Sequence, residues 1–184
     1  MRIIGNSEPR YRYSISGNAS WKNIDFSMLW QGIGKRDYWP DDYATLFWGW
    51  NSRGHSNITE AVLDFWTKDN TDGYLPLPLE TGGSSGFAKD RFPSTRYLQS
   101  SAFIRLKSIS LGYSIPQQFL EEKVKLVKRA RIYFNGENLL TFSRLWENFD
   151  PELVYARDSS GSRIGEGRAY PLASVYGFGL SITF

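Results

Sequence analysis

Five stretches of the chain alternate apolar and polar residues with a period of two. That spacing is what a β-strand produces, because successive side chains point to opposite faces. The clearest stretch is the last, "SVYGFGLSITF", where Tyr176, Phe178, Leu180, Ile182 and Phe184 share one face. Gly177, Gly179, Ser181 and Thr183 share the other. In "YRYSISGNASWK", Tyr11, Tyr13, Ile15, Ala19 and Trp21 oppose Arg12, Ser14, Ser16, Asn18, Ser20 and Lys22. Ile24, Phe26, Met28 and Trp30 then oppose Asp25, Ser27 and Gln31, with Leu29 as the exception. The very short connection around Asn23 predicts that these two stretches pair as an antiparallel hairpin.

The third stretch, "FIRLKSISLGYSI", places Ile109, Leu111, Tyr113 and Ile115 against Ser108, Ser110, Gly112 and Ser114. Its upstream half breaks the rule, since Arg105 and Lys107 fall in the apolar register. Pro116 should end it, because proline donates nothing to a strand ladder. In the fourth, "RIYFNGENLLTF", Ile132, Phe134 and Leu140 share a face with Gly136 and Asn138, and Asn135-Gly136 is an alternative hairpin turn. The predicted strands lie near 10–22, 24–34, 101–115, 130–142 and 170–184. The basic stretch Lys123 to Arg131, which follows "QQFLEE" between the third and fourth, reads as beginning in a short helix.

The connections are unequal. Short ones join the first stretch to the second and the third to the fourth. Long ones, near 35–100 and 143–169, hold the Gly, Pro and Asp clusters "DYWPDDY", "TKDNTDGYLPLP", "ETGGSSG" and "RDSSGSRIGEGR". A structureless loop as long as the first is foreign to a compact soluble domain. Short turns at one end and long loops at the other are what an outer-membrane barrel shows, with the turns in the periplasm. Strand lengths agree, since about 9–11 tilted residues cross a bilayer. The expectation is an all-β fold, an antiparallel transmembrane β-barrel segment of about five strands with long extracellular loops. Five strands cannot close a bacterial barrel, and a free edge is not tolerated in lipid, so the segment should belong to something larger. The last strand must run toward the short-turn side, which places Phe184 at the periplasmic rim.

Composition sharpens this picture only in places. Aromatics make up 16% of 184 residues, with 7 Trp, 11 Tyr and 12 Phe. Tyr11, Tyr13, Trp21, Trp30 and Tyr113 suit an interfacial girdle, where an amphipathic ring sits at headgroup depth. There is no cysteine, hence no disulfide and no thiolate metal site. No apolar run approaches the about 20 residues of a transmembrane helix, and no signal peptide is visible at the N-terminus. The net charge of +3 is scattered except in "KVKLVKRAR" at 123–131. That run lacks a recognition fold or stacking aromatics, so no nucleic-acid partner is expected. In the barrel reading it is the periplasmic connection, where Lys and Arg meet anionic headgroups.

At this point the motifs "RFPSTRYLQSSAFIRLKSISLGYSIP", "RIYFNGENLLTFSRL", "FDPELV" and "GRAYPLASVYGFGLSITF", in that order, resemble the C-terminal part of the SusC/RagA family of TonB-linked outer-membrane transporters. "IGNSEPRYRYSISGNASWKNIDFSMLWQGIGKRDYW" and "LDFWTKDNTDGYLP" extend the resemblance over nearly the whole chain. It implies a plug enclosed by a barrel of about 22 strands. It also implies a SusD-like lipoprotein that delivers glycans or peptides, and TonB acting through an N-terminal part that these residues do not include. The plug and most of the barrel likewise lie outside them. Within the family a terminal strand ending on an aromatic residue is read by the barrel-assembly machinery. Tyr176, Phe178, Leu180, Ile182 and Phe184 would carry that signature, captured by strand addition. The location implied is the outer membrane.

Other chemistry is thin. Trp39, Tyr43, Trp48 and Trp50, with Phe47, sit in the first long loop. They are either candidate substrate or partner contacts or, as the preferred reading, the loop's own small core. "KDNTDGYLPLPLE" fails the EF-hand template, with Lys68 in the first ligand position and Leu79 in the twelfth. His55 is the single histidine, in a polar loop. Glu121-Glu122, Asp41-Asp42 and Asp150/Glu152 have no spacing that singles out a hydrolytic pair. No catalytic residue, metal or cofactor is expected. The rival reading is a soluble carbohydrate-binding β-sandwich, with the same apolar faces packed against one another.

Overall fold

The structure, a computed structural model, describes residues 2–40, 44–48, 60–76, 93–124, 126–157, 159–161 and 169–184. The chain divides into two units. One is Met1–Glu8, Arg36–Ser101 and Arg144–Pro171; the other is Pro9–Lys35, Ala102–Ser143 and Leu172–Phe184.

The second unit is a five-stranded antiparallel sheet. Its strands are β1 (Tyr11–Trp21), β2 (Ile24–Gly34), β5 (Phe103–Ser114), β6 (Arg129–Ser143) and β7 (Val175–Thr183), in the order β1-β2-β5-β6-β7. β3 (Asp37–Tyr38) and β4 (Gln99–Ser100) are two-residue strands of the other unit. The hairpin between β1 and β2 turns on Lys22 and Asn23, with Lys22 at φ 53. Pro116 stands at the start of α2 (Gln117–Lys123), so the proline that ends the strand also opens the helix. β6 runs unbroken through Asn135 and Gly136, which excludes the alternative hairpin there. β7 begins at Val175 rather than near Tyr170, and Phe184 lies just beyond its ladder.

The break in alternation around Arg105 has a structural cause. Pairing of β2 with β5 shifts between Leu29 and Trp30, leaving Lys107 as an extra residue. Pairing of β5 with β6 shifts again, so that Asn138 and Leu139 oppose Lys107. These are β-bulges, each inserting one residue and reversing the facing of everything beyond it. Asn138 adopts φ 52, a left-handed conformation that asparagine tolerates better than most residues. One extra residue in β5 moves Arg105 off the apolar face. Two in β6, relative to β2, restore its original phase, which is why its sequence looks uninterrupted.

The first unit is small and aromatic. β3 (Asp37–Tyr38) pairs with β4 (Gln99–Ser100), and α1 (Thr45–Trp48) is a single helical turn. Its core gathers Tyr38, Ala44, Phe47, Trp48, Val62, Leu75, Tyr97, Leu145, Phe149 and Val154 from widely separated parts of the sequence.

Candidate functional site

The sheet's two faces are chemically opposite, and cross-strand register makes each continuous. One row runs Ala19, Phe26, Leu111, Phe134, Phe178; another runs Trp21, Ile24, Tyr113, Ile132, Leu180. Beyond the bulges Ile15, Trp30, Leu106 and Leu140 continue the same face. Large members of this face stay exposed, with Phe178 at 82% and Trp21 at 67%. Burying such side chains is the main favourable term in folding, about 1.5–3 kcal/mol each. A sheet that leaves so many large apolar residues of one face exposed, although Leu106 among them is buried, is therefore built for an apolar surrounding.

The opposite face is small and polar. Its rows include Asn18, Ser27, Ser110, Asn135, Gly177 and Ser14, Gln31, Arg105, Thr141. Arg105 is buried here and its Nε donates to Thr141 Oγ1 at 2.8 Å. Leu29, the exception in the sequence, sits on this face between Ser16 and Ser108. Toward the short-connection end, Arg131 reaches diagonally from β6 to Asp25 on β2, with Nε donating to Oδ1 at 3.1 Å. Gly112 lies between them on β5, and any Cβ there would collide with both partners. Glycine is what the ion pair requires. The Arg131 guanidinium also lies 5.3 Å from the Tyr133 ring centroid.

The aromatic residues expected at the rims divide between the two ends. Tyr11 and Tyr13 stand at the end from which the long connections leave; Trp21 and Tyr113 stand at the short-connection end. The Tyr13 hydroxyl donates to the Phe103 carbonyl at 3.1 Å, crossing β2 at Gly32, where a side chain would block it. Trp30 lies inside its strand rather than at its end and stacks on Phe142 with centroids 6.3 Å apart. Tyr176, Phe178, Leu180 and Ile182 all project from the apolar face of β7, and Phe184 is exposed beyond it. Thr183 pairs with Arg129 at the start of β6. The chain's last residues thus share the sheet end that carries the short connections.

The loop aromatics have a different environment. Trp48 is 6% exposed, packed edge-on to Phe47 at 4.8 Å, with Nε1 donating to the Pro40 carbonyl at 3.2 Å. Trp39 is half-buried against Trp48 and Tyr97. Both positions match a small loop core better than a contact surface. Tyr43, Trp50, His55 and Asp41-Asp42 lie outside the described residues. Desolvation inside this cluster pushes the Tyr74 phenol above its ordinary range, with Tyr97 adding to the effect.

The sequence reading missed the residue that ties this unit together. Arg36 is buried; its Nε donates to Ser101 Oγ at 2.9 Å and its Nη2 to the Ser101 and Pro151 carbonyls. Its guanidinium lies 4.9 Å from the Tyr155 ring centroid. "FDPELV" explains the other side of that contact. Asp150 accepts the Glu152 N–H at 2.9 Å and starts a turn. Phe149 and Val154 thereby enter the core, and the Pro151 carbonyl turns toward Arg36. Asp150 is thus a turn residue rather than half of a hydrolytic pair. Upstream of the calcium-like stretch, Asp64 holds its turn by accepting from Tyr74 N–H and Asn70 Nδ2. No cluster of three or more His, Asp or Glu forms among the described residues.

No family model matches the sequence. TonB-dependent receptor P3 of Formosa agariphila is 28% identical over 188 residues, covering 100% of this chain and 17% of the receptor. TonB-dependent receptor P26 of the same organism is 29% identical over 191 residues, covering 99% and 18%. Among solved structures, the RagAB peptide importer in its "open-open" state matches with a TM-score of 0.64 and 26% identity, and the RagAB peptide transporter with 0.66 and 24%. Each covers 100% of this chain and 18% of its own. The chain therefore spans under a fifth of the proteins it resembles.

Proposed function

We infer, from a resemblance to SusC/RagA-type TonB-dependent transporters that runs through the whole chain, that these residues form part of the wall of a TonB-energised outer-membrane importer. The observation that carries the inference is the continuous apolar face, most of whose large side chains are exposed. It runs across five hydrogen-bonded strands and keeps its register through two bulges. Water is the wrong solvent for such a face, and lipid tails are the right one.

On this reading each face and each end of the sheet takes a role. The apolar rows meet hydrocarbon; the Ser, Gly and Asn rows line the lumen; the long-loop unit is extracellular; and Phe184 lies at the periplasmic rim. β7 presents the C-terminal pattern to the barrel-assembly machinery by strand addition. A SusD-like lipoprotein delivers cargo from outside, and TonB acts through other parts of the transporter. The cargo is a glycan or a peptide, and the solved neighbour named as a peptide importer supports the second. The soluble sandwich reading requires a second sheet over the apolar face. Among the described residues the other sheet has two strands of two residues each, too small to cover it.

The test is a pair of neighbouring substitutions in the complete transporter. Ile109→Lys, on the apolar face in mid-strand, should abolish most outer-membrane insertion, read as heat-modifiable mobility of the folded barrel. Ser110→Lys should insert nearly normally. Equal behaviour would contradict the assigned facing.

A further inference from the structure

We propose that the last part of β6, around Leu140–Phe142, is a docking edge for the strand that closes the barrel, which there bypasses β7; the inference rests on the barrel-wall reading. β6 and β7 pair only from Arg129↔Thr183 to Glu137↔Val175, although β6 continues to Ser143. Followed across the sheet, Val175 lies level with Glu137, Ser108, Leu29 and Ser16, halfway along β1. Beyond that row Leu140, Thr141 and Phe142 pair with β5 on one side, and among the described residues no strand pairs with them on the other. Leu140 and Phe142 are exposed. An open edge beside apolar side chains is tolerated in water but not in lipid, where every backbone N–H and carbonyl needs a partner.

Two features stop β7 halfway. Asn138, in its left-handed conformation, donates from Nδ2 to the Ala173 carbonyl at 3.3 Å, and its own carbonyl accepts the Ser174 hydroxyl at 2.8 Å. Those bonds tie the chain entering β7 to the bulge instead of to a ladder. Pro171 would fall opposite Thr141 if the ladder continued, and it has no N–H to give. Tyr170 before it is 90% exposed. The segment that leads into β7 therefore leaves the edge of β6 open. Asn138 Oδ1 is buried and accepts from no described residue. The edge thus offers a side-chain acceptor as well as backbone groups, and an added polypeptide strand can satisfy both.

The identity of that strand follows from where β7 ends. The sheet order leaves the outer edge of β7 free, and a barrel closes on such an edge. A crossing strand needs about 9–11 residues, so the closing strand outruns β7 at Val175. The next edge it meets is that of β6. The alternation there already suits a wall position, with Leu140 on the apolar face and Thr141 on the polar one. Closure then rests on two strands, β7 below Val175 and β6 above it.

The experiment is disulfide trapping in the complete transporter, freed of other cysteines. Cysteines scanned along the closing strand are combined with Leu140→Cys or Phe142→Cys, and with Phe178→Cys on β7 as the reference. A disulfide needs Cα atoms within about 7 Å. Adjacent strands lie about 4.8 Å apart, and strands with a third between them about 9.6 Å. Leu140→Cys and Phe142→Cys should cross-link as fully as Phe178→Cys, at closing-strand positions nearer the long loops. Asn138→Gly should keep those cross-links. Asn138→Val, which resists the left-handed conformation, should lower them about 10-fold and leave those of Phe178→Cys unchanged. Cross-links from 178 with none from 140 or 142, or a disulfide between Leu140→Cys and Leu172→Cys in their place, would overturn docking on β6 and leave the barrel reading standing. No cross-link from any of the three, together with no heat-modifiable folded form of the unsubstituted transporter, would overturn both.

Discussion

The two units draw on the same aromatic-rich alphabet and use it in opposite ways. In the long-loop unit Phe47 is 0% exposed and lies within ring-packing distance of Trp48, Tyr74, Tyr97, Trp146 and Phe149. In the sheet unit Phe178 packs on the Phe134 ring at 5.1 Å and is otherwise exposed, at 82%. The loop unit makes its own apolar interior; the sheet unit relies on its surroundings to supply one. Composition cannot separate the two regimes. Periodicity can, because the sheet aromatics recur every second residue and the loop aromatics do not.

The sharpest way to break this contrast is to truncate one aromatic on each side. Phe47→Ala should cost the loop unit about 3–5 kcal/mol, enough to make it protease-sensitive. Phe178→Ala should leave the protein's stability in water within about 0.5 kcal/mol and lower only its affinity for membranes. Loss of near-ultraviolet dichroism and limited proteolysis would follow the first; vesicle partition would follow the second. Equal effects of the two in water would mean that the sheet face is packed after all.

Charge placement is the next test. Ile109→Lys should destabilise the inserted barrel by about 2–4 kcal/mol, the cost of lysine near the bilayer midplane, and Ser110→Lys by far less. Urea unfolding in vesicles would measure both. Within the loop unit, Arg36→Ala removes the donors that the Ser101 and Pro151 carbonyls use. It should cost about 1.5–3 kcal/mol and loosen 36–40, 99–101 and 149–155 together in hydrogen exchange. Exchange confined to the neighbourhood of residue 36 would contradict the role given to Arg36. Smallest of all, Asp25→Asn should produce a slight loss that shrinks as salt is raised, because the pair with Arg131 is solvated. A large, salt-independent loss would show that the pair is shielded.

Much of the sheet was legible in the sequence because facing and pairing are local consequences of a two-residue period. The hairpin at Asn23, the stop at Pro116 and the apolar run of β7 can each be read from a dozen residues. The bulges were visible only as a symptom, the misplaced Arg105 and Lys107. Alternation records that facing changes but not where the extra residue is stored. Arg36 left no trace, because its partners lie 65 and 115 residues away and no local rule joins them. The loop core was foreseen in kind from the Trp and Tyr cluster, yet not in membership. Leu145, Phe149 and Val154 come from the second long connection, and contacts that distant carry no periodic signal.

The central claim is that one register of the sheet faces lipid and the other does not. The chain holds no cysteine, so single cysteines can be placed along β5 in the complete transporter and labelled with a nitroxide. Collision with oxygen, which concentrates in lipid, should be high at 104, 106, 109 and 111 and low at 105, 108 and 110. The alternation should step by one residue at Lys107. A scan with no step at Lys107, or with both registers shielded from oxygen and from water-soluble relaxants alike, would contradict the account.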